Sequence, residues 1–471
     1  MEESAGVDAP TLSKSKSIAL VSTVTGAAFI NTLASQSVVI ILPTIGHELD
    51  IPDSRQQWIV TSYLISFGCF LLIWGRIADI YGKRAIFIWG SLWVTVVSAV
   101  NPFIPNEIGF NVLRGLHGFG AAANVPTAIG ILGATFSSPG RVKTYAFSAY
   151  ASGAPLGNIC GTLVAGVIAQ YTNWKWVFIV QAILAGLITL AGIYCIPQTP
   201  CAATVDDTEG LFNRVDWIGG MLITVAIFTL LFSLAEGNIV GWKTPWISVL
   251  IVVSLLIVAA FVAWQWYIER KGARPPLVKI SLFSNGSFSV AMVAMCFSYA
   301  SFNNFLVFAT YFFQEYQDLS PLQTMYRFIP SALAAASLLF AVPIPTDTNY
   351  FAWTFWAMML CVASMNIVWP CFTLFASNTM PKEDQAMAGA LMYVANQLGR
   401  AFGLAISTTV QLAVTANALG TSTQDVGAIR AGDLAYLKGI RAASWLDVAF
   451  ALAAMIMIVP AFWNIERVDK A

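Results

Sequence analysis

An all-α, polytopic membrane fold is what this sequence predicts, on three observations. Of 471 residues, 58% are hydrophobic and only 10% are charged, with a mean hydropathy of +0.72; a soluble domain carries about 25% charged residues. Apolar runs long enough to cross a bilayer, about 20 residues each, recur along the whole chain. Basic residues cluster at every second connection between those runs, the bias that marks a cytoplasmic face.

The runs place candidate spans at 18–44, 57–77, 85–104, 108–134, 143–169, 175–196, 216–235, 246–268, 288–312, 325–343, 350–376, 385–416 and 443–463, thirteen in all. The first 17 residues are polar, with Lys14 and Lys16. Followed by so long an apolar run, they read as a cytoplasmic tail before a retained span, not as a cleavable signal. Lys83/Arg84, Arg141/Lys143 and Arg270/Lys271/Arg274/Lys279 fall on the same side as that tail. The alternating loops, with Glu48/Asp50/Asp53, Glu107, Trp174, Trp242 and Glu315/Asp318, fall outside. The alternation then breaks. The loop Pro343–Thr348 should be inside but has no basic residue. Either a span with its basic loop is missing near 330–340, or the segment 325–343 re-enters without crossing.

The expected organisation is a cytoplasmic tail at 1–17, a six-helix bundle at 18–196 and a cytoplasmic loop at 197–215. Further spans follow at 216–268, then a cytoplasmic loop at 269–287 and the remaining spans at 288–471. Lys plus Arg and Asp plus Glu both total 24. No basic excess therefore favours nucleic acid as a partner. Seven cysteines show no CxxC spacing, so neither a disulfide framework nor a zinc site is expected. No GxxxxGK[ST] loop is present, so ATP is not the expected energy source. With two histidines and no nucleophile–base set, no catalytic residue, metal or cofactor is assigned, and the chain reads as a non-enzyme.

Four constellations could carry function. The polar decapeptide Gly75–Arg84 separates two apolar runs and reads as a tight turn. Within it, Gly75 and Gly82 permit close approach, Lys83 and Arg84 mark the inner side, and Asp79 puts a carboxylate at a membrane edge. Arg114 lies about 9 Å of helix rise inside its span. It either snorkels to the interface or modulates a proton or substrate site; His117 shares its helix face. Gly153, Gly157 and Gly161 recur at spacing four around Pro155, a tight helix contact with a possible hinge. Amides in the spans are Asn31, Gln36, Asn124, Asn158, Asn303, Asn304, Asn366, Asn396 and Gln397. They suit either interhelix hydrogen bonds or a cavity for amphipathic molecules. Arg400 and Asp447 are charged residues in late spans with no partner assignable from sequence.

These residues resemble signatures of the major facilitator superfamily. Gly75–Arg84 resembles its loop motif between spans two and three. Leu113-Arg114-Gly115 through Ala122 resembles the fourth-span motif, whose arginine is associated with proton coupling. Gly153 to Gly161 is similar to the fifth-span motif of antiporters, with Ala154-Pro155 where Gly-Pro is usual. Over nearly its full length the chain resembles the fourteen-span drug:proton antiporters, specifically the fungal aminotriazole-resistance-like group, through Arg55–Val60, Val125–Gly130 and Ser301–Phe305. The resemblance implies two six-helix bundles, at 18–196 and, incomplete, at 288–471, with two extra linker helices at 216–268 between them, rocking to give alternating access. It implies proton-coupled efflux of drugs, toxins or secondary metabolites by a monomer in a fungal plasma membrane, with the vacuolar membrane as the other location. Asp79 would act at the inner gate, Arg114 at the proton site and Gly153–Gly161 at the bundle contact. Two departures stand out: Ala34 occupies the place of an acidic residue in the first span, and one span of the second bundle is missing. Nutrient uptake, or a transport-defective paralogue acting as a sensor, are the rival readings.

Overall fold

A computed structural model describes residues 13–51, 53–56, 58–136, 140–197, 215–242, 244–271, 276–284, 286–317, 367–377, 385–421 and 432–462. Every regular element among them is helical. The helices are α1 (Lys14–Glu48), α2 (Asp53–Gln56), α3 (Trp58–Tyr81), α4 (Lys83–Val100), α5 (Glu107–Thr135), α6 (Arg141–Tyr171), α7 (Lys175–Cys195), α8 (Trp217–Val240), α9 (Pro245–Lys271) and α10 (Gly286–Tyr311). After them come α11 (Ile367–Ser377), α12 (Gln385–Leu419) and α13 (Leu434–Phe462). Ten described helices are long and apolar enough to cross a membrane. The predicted span 325–343, the loop Pro343–Thr348, most of 350–376 and the expected missing span lie outside the described residues.

Local chemistry sets the helix ends. Ser13 Oγ caps α1 by accepting from the Lys16 N–H, and Asn106 Oδ1 caps α5 by accepting from the Gly109 N–H at 2.7 Å. Asp216 does the same for α8 through the Gly219 N–H. Such side-chain acceptors satisfy the orphan amides of a first turn. Gly82, at φ 103°, is the break between α3 and α4. This corrects the reading of Gly75–Arg84 as a turn: α3 continues helically to Tyr81, and only Gly82 leaves the helix. The last helix also begins at Leu434, not 443. Its first turns carry Lys438 and so look loop-like by apolarity, but Tyr436 and Ile440 anchor them against Phe308.

In the first half, α1 packs along α6, α3 along α5, and α4 against α5 and α7. In the second, α10, α12 and α13 pack on one another. The halves meet where α12 lies against α3 and α5, and a continuous apolar core runs from Leu20 through Trp74 to Ala395. Between them in sequence, α8 lies against both α3 and α12, with α9 packed on it. Asp216 pins that pair by accepting from Trp264 Nε1 at 3.0 Å and Gln265 Nε2 at 2.6 Å.

Among the described helices, α5 is the most enclosed. It is buried on every face from Gly120 to Gly133. It is not among the ten helices apolar enough to span alone, because Asn111, Arg114, His117 and Asn124 dilute it. Enclosure by neighbouring helices, not lipid, accommodates those polar groups, as intramembrane polar residues require.

Candidate functional site

Four sites emerge, and the first joins the halves. Asp79, in the last turn of α3, is held between Lys83 and the start of α12. Its Oδ1 lies 3.3 Å from Lys83 Nζ and accepts from the Ala386 N–H at 3.3 Å; its Oδ2 accepts from the Met387 N–H at 3.1 Å. Ala386 and Met387 belong to the first turn of α12, so Asp79 caps a helix of the other half. The carboxylate also complements the positive end of that helix. Close approach is enforced by small residues: a Cβ on Gly75 would stand 2.9 Å from the Ala390 Cβ, and one on Gly130 would stand 3.0 Å from the Ala386 Cβ. Arg84 lies apart from this contact, with its guanidinium donating to the Ile193 carbonyl at 2.6 Å.

The second site is a cavity of about 230 Å³ lined by both halves. Asn31, Gln36 and Asn158 line it from the first half, and Asn303, Asn396 and Gln397 from the second. Asn124 and Asn304 do not line it. Asn124 accepts from Ser91 Oγ at 3.2 Å, joining α4 to α5, and Asn304 donates to Ser407 Oγ at 2.8 Å. Asn366 lies outside the described residues. Sequence reasoning missed the aromatic wall: Tyr63, Phe67, Tyr299, Phe302, Trp369 and Tyr393. Trp369 and Tyr393 meet edge-to-face at 4.5 Å between ring centroids, and Tyr299 meets Trp369 at 5.8 Å. An aromatic residue in a span gives no sequence signal that separates a cavity wall from a lipid face. Arg400 also lines the cavity; its charge within an apolar run was the signal that could have placed it there.

A third cluster backs the first half of the cavity. Arg114 is fully buried, so it does not snorkel to an interface. Its Nε donates to the Ile59 carbonyl at 3.0 Å, and its guanidinium lies 4.9 Å from the Tyr63 ring centre. His117 meets the same ring edge-to-face at 5.2 Å. Tyr63 in turn donates to the Asn31 carbonyl at 3.3 Å. Thus Arg114 and His117 contact a residue that borders the cavity, and no carboxylate accompanies them among the described residues.

Gly153, Gly157 and Gly161 form a seam within the first half. They face Thr25, Phe29 and Leu33 of α1, and a Cβ on Gly157 would run into the Phe29 carbonyl. The seam is therefore an α6–α1 contact, not one between the halves. Pro155 sits on the neighbouring face, in the cavity wall, and α6 continues through it as helix. On the outer side of the sequence-based orientation, Arg55 and Glu107 pair at 3.0 Å.

The fourth site is Asp447 in α13, buried at 5% exposure. Ser407 Oγ donates to its carboxylate over 3.4 Å and accepts from Asn304. Both partners are neutral.

The family profile of the Major Facilitator Superfamily matches residues 24–404. The chain is similar to the efflux pump terJ of Aspergillus terreus, 28% identical over 484 residues that cover 94% of this chain and 88% of that protein. It is similar to the low affinity ammonium transporter of Saccharomyces cerevisiae, 27% identical with 79% and 76% covered. The aminotriazole resistance protein of the same yeast is 24% identical, with 94% and 82% covered. Among solved structures, the human organic anion transporter MFSD10 aligns with a TM-score of 0.60 at 13% identity, covering 94% of this chain and 99% of that one. The proton:xylose symporter XylE aligns equally well, at 0.60 and 13%, with 95% and 97% covered. At such identities the likeness establishes the fold alone.

Proposed function

Because this chain belongs to the Major Facilitator Superfamily and is a multi-pass membrane transporter, we propose that it exports small organic compounds by alternating access, driven by protons. The observation that supports this most is the cavity shared by both halves, together with a contact between the halves in which Asp79 caps α12. Such a contact can break and reform as a unit when the halves rock. The named relatives favour export: an efflux pump and an aminotriazole resistance protein. In this reading the Asp79 contact is the inner gate, and the α6–α1 seam keeps the first bundle rigid. The N-terminus is cytoplasmic and the membrane is the plasma membrane.

For the proton we favour Asp447. Asp79 is matched by Lys83, and Asp216 by three donors. Among the described residues Asp447 meets Ser407 and Asn304, both neutral. α10 and α12 pack on its helix. Arg400 is seven residues from Ser407, about 10 Å along α12. A buried carboxylate without a cation is costly when ionised, and intramembrane acids of this kind mark proton relays. Arg114 and His117 then act on the cavity wall through Tyr63.

The ammonium-transporting relative offers a second reading, in which a small cation passes. The cavity's described lining has no carboxylate to receive one, which favours the first. The deciding experiment uses inside-out vesicles containing the protein, an acid-interior pH gradient and a fluorescent organic probe. Accumulation that collapses with a protonophore is expected. Accumulation unchanged by the protonophore would exclude proton coupling.

A further inference from the structure

The cavity has an unusual charge balance. Among its described lining residues Arg400 is the one charged side chain, and no carboxylate faces it. Its guanidinium lies 5.4 Å from the Tyr299 ring centre, and its Nε is buried without a hydrogen-bond partner. No carboxylate among the described residues stands within ion-pair distance of it; the pairs Arg55–Glu107 and Lys83–Asp79 lie elsewhere. The other buried acids are committed elsewhere, Asp216 to α8 and α9 and Asp447 to Ser407. A ring face partly offsets the cost of burying a cation, but an under-coordinated guanidinium still favours an anionic partner with two oxygens.

The surroundings define the rest of that partner. Trp369, Tyr393 and Tyr299 form a connected aromatic wall beside Arg400, and Phe67 extends it from the first half at 6.2 Å from Tyr393. Such a wall suits a flat apolar body by stacking or edge contacts. A volume of about 230 Å³ is below the usual range of ligand pockets, about 300–1,000 Å³, which limits the body to one or two rings.

We propose that the central cavity binds small aromatic anions (carboxylates or sulfonates), with Arg400 pairing with the charged group and the Tyr299–Trp369–Tyr393 wall holding the ring. This rests on the transporter reading and names its substrate class. It is also consistent with that reading energetically: an anion leaving and a proton entering both follow an inside-negative membrane potential.

The test is equilibrium binding to the full-length protein in lipid nanodiscs. Three probes of one shape are used: 1-naphthoate, 1-naphthylmethylammonium and neutral 1-naphthalenemethanol. Naphthoate is expected to bind about ten-fold or more tighter than the ammonium compound, the scale of one charge-assisted pair. Arg400→Gln should reduce naphthoate binding to the level of the alcohol and leave the alcohol unchanged. Arg400→Lys, which keeps the charge but loses the fork, should fall between. The inference is overturned by equal or tighter binding of the ammonium compound, by no measurable naphthoate binding, or by Arg400→Gln binding naphthoate as the wild type does. If Arg400→Gln fails to fold, the wild-type probe series and Arg400→Lys still decide. Binding needs neither export nor a proton gradient, so failure of the exporter reading leaves this result readable. Gradient-driven efflux with no anion preference would sink this inference alone.

Discussion

Asp79 Oδ2 accepts a hydrogen bond from the Met387 N–H at 3.1 Å, across 308 positions of sequence. One carboxylate thereby does two jobs: it neutralises Lys83 and it caps the first turn of α12. Asp79→Ala is expected to weaken the contact by about 0.5–2 kcal/mol, the range for losing a helix cap. Asp79→Asn, which keeps an acceptor but loses the charge, should cost less. The readout is maleimide labelling of an Ala386→Cys variant in a background lacking the native cysteines. Labelling should rise several-fold in Asp79→Ala; unchanged labelling would show that the cap does not hold the halves together.

Replacing Gly157 tests the α6–α1 seam. Its missing Cβ is where the Phe29 carbonyl sits, and backbone cannot move aside as a flexible side chain can. Gly157→Ala should destabilise the protein by about 1–3 kcal/mol, the cost of overpacking, and lower its Tm. Gly166→Ala, on the same helix but facing open space, should be neutral or slightly stabilising. Equal Tm values for the two variants would contradict the seam.

Tyr63 separates two roles of one side chain. Tyr63→Phe removes the bond to the Asn31 carbonyl but keeps the ring beside Arg114. Its efflux should fall by no more than the value of one hydrogen bond, about 0.5–1.5 kcal/mol. Tyr63→Leu removes the ring as well and should be far worse. Arg114→Ala is expected to abolish transport while the protein still reaches the cell surface. Normal efflux in that variant would end the role assigned to Arg114.

Asp447→Asn keeps the shape of the side chain and removes its ability to take up and release a proton. We expect pH-gradient-driven accumulation to be lost while counterflow of labelled for unlabelled compound, which needs no net proton movement, persists. Gradient-driven accumulation equal to wild type would place the proton on another group.

Much of the fold is legible in the sequence because hydropathy is local. The positions of the long helices α1 and α3–α10 follow from apolar runs, although the short helix α2 does not. The errors are equally physical. Gly75–Tyr81 reads as loop because it is polar, yet polarity does not end a helix; a residue leaving helical φ does, and Gly82 is that residue. Leu434–Ala442 reads as loop because Lys438 and Arg441 interrupt the apolarity, although Tyr436 and Ile440 are buried. Of the in-span amides, composition could not separate Asn303, which lines the cavity, from its neighbour Asn304, which bonds to Ser407. Adjacent residues on a helix point about 100° apart, and which direction faces a cavity depends on the neighbouring helices.

By itself, then, the sequence determined the helical membrane class, the approximate placement of the spans as far as α10 and the presence of a charged motif between α3 and α4. It did so because chain-local quantities, apolarity and charge, decide whether a segment enters a bilayer. Only the tertiary structure decided that Asp79 caps α12, that the glycines of α6 meet α1, and that Arg400 faces a cavity without a carboxylate among its described lining. Those outcomes depend on which helices pack together, and the partners are separated by up to hundreds of residues. A side chain's type limits the interactions it can make; packing selects the one it makes.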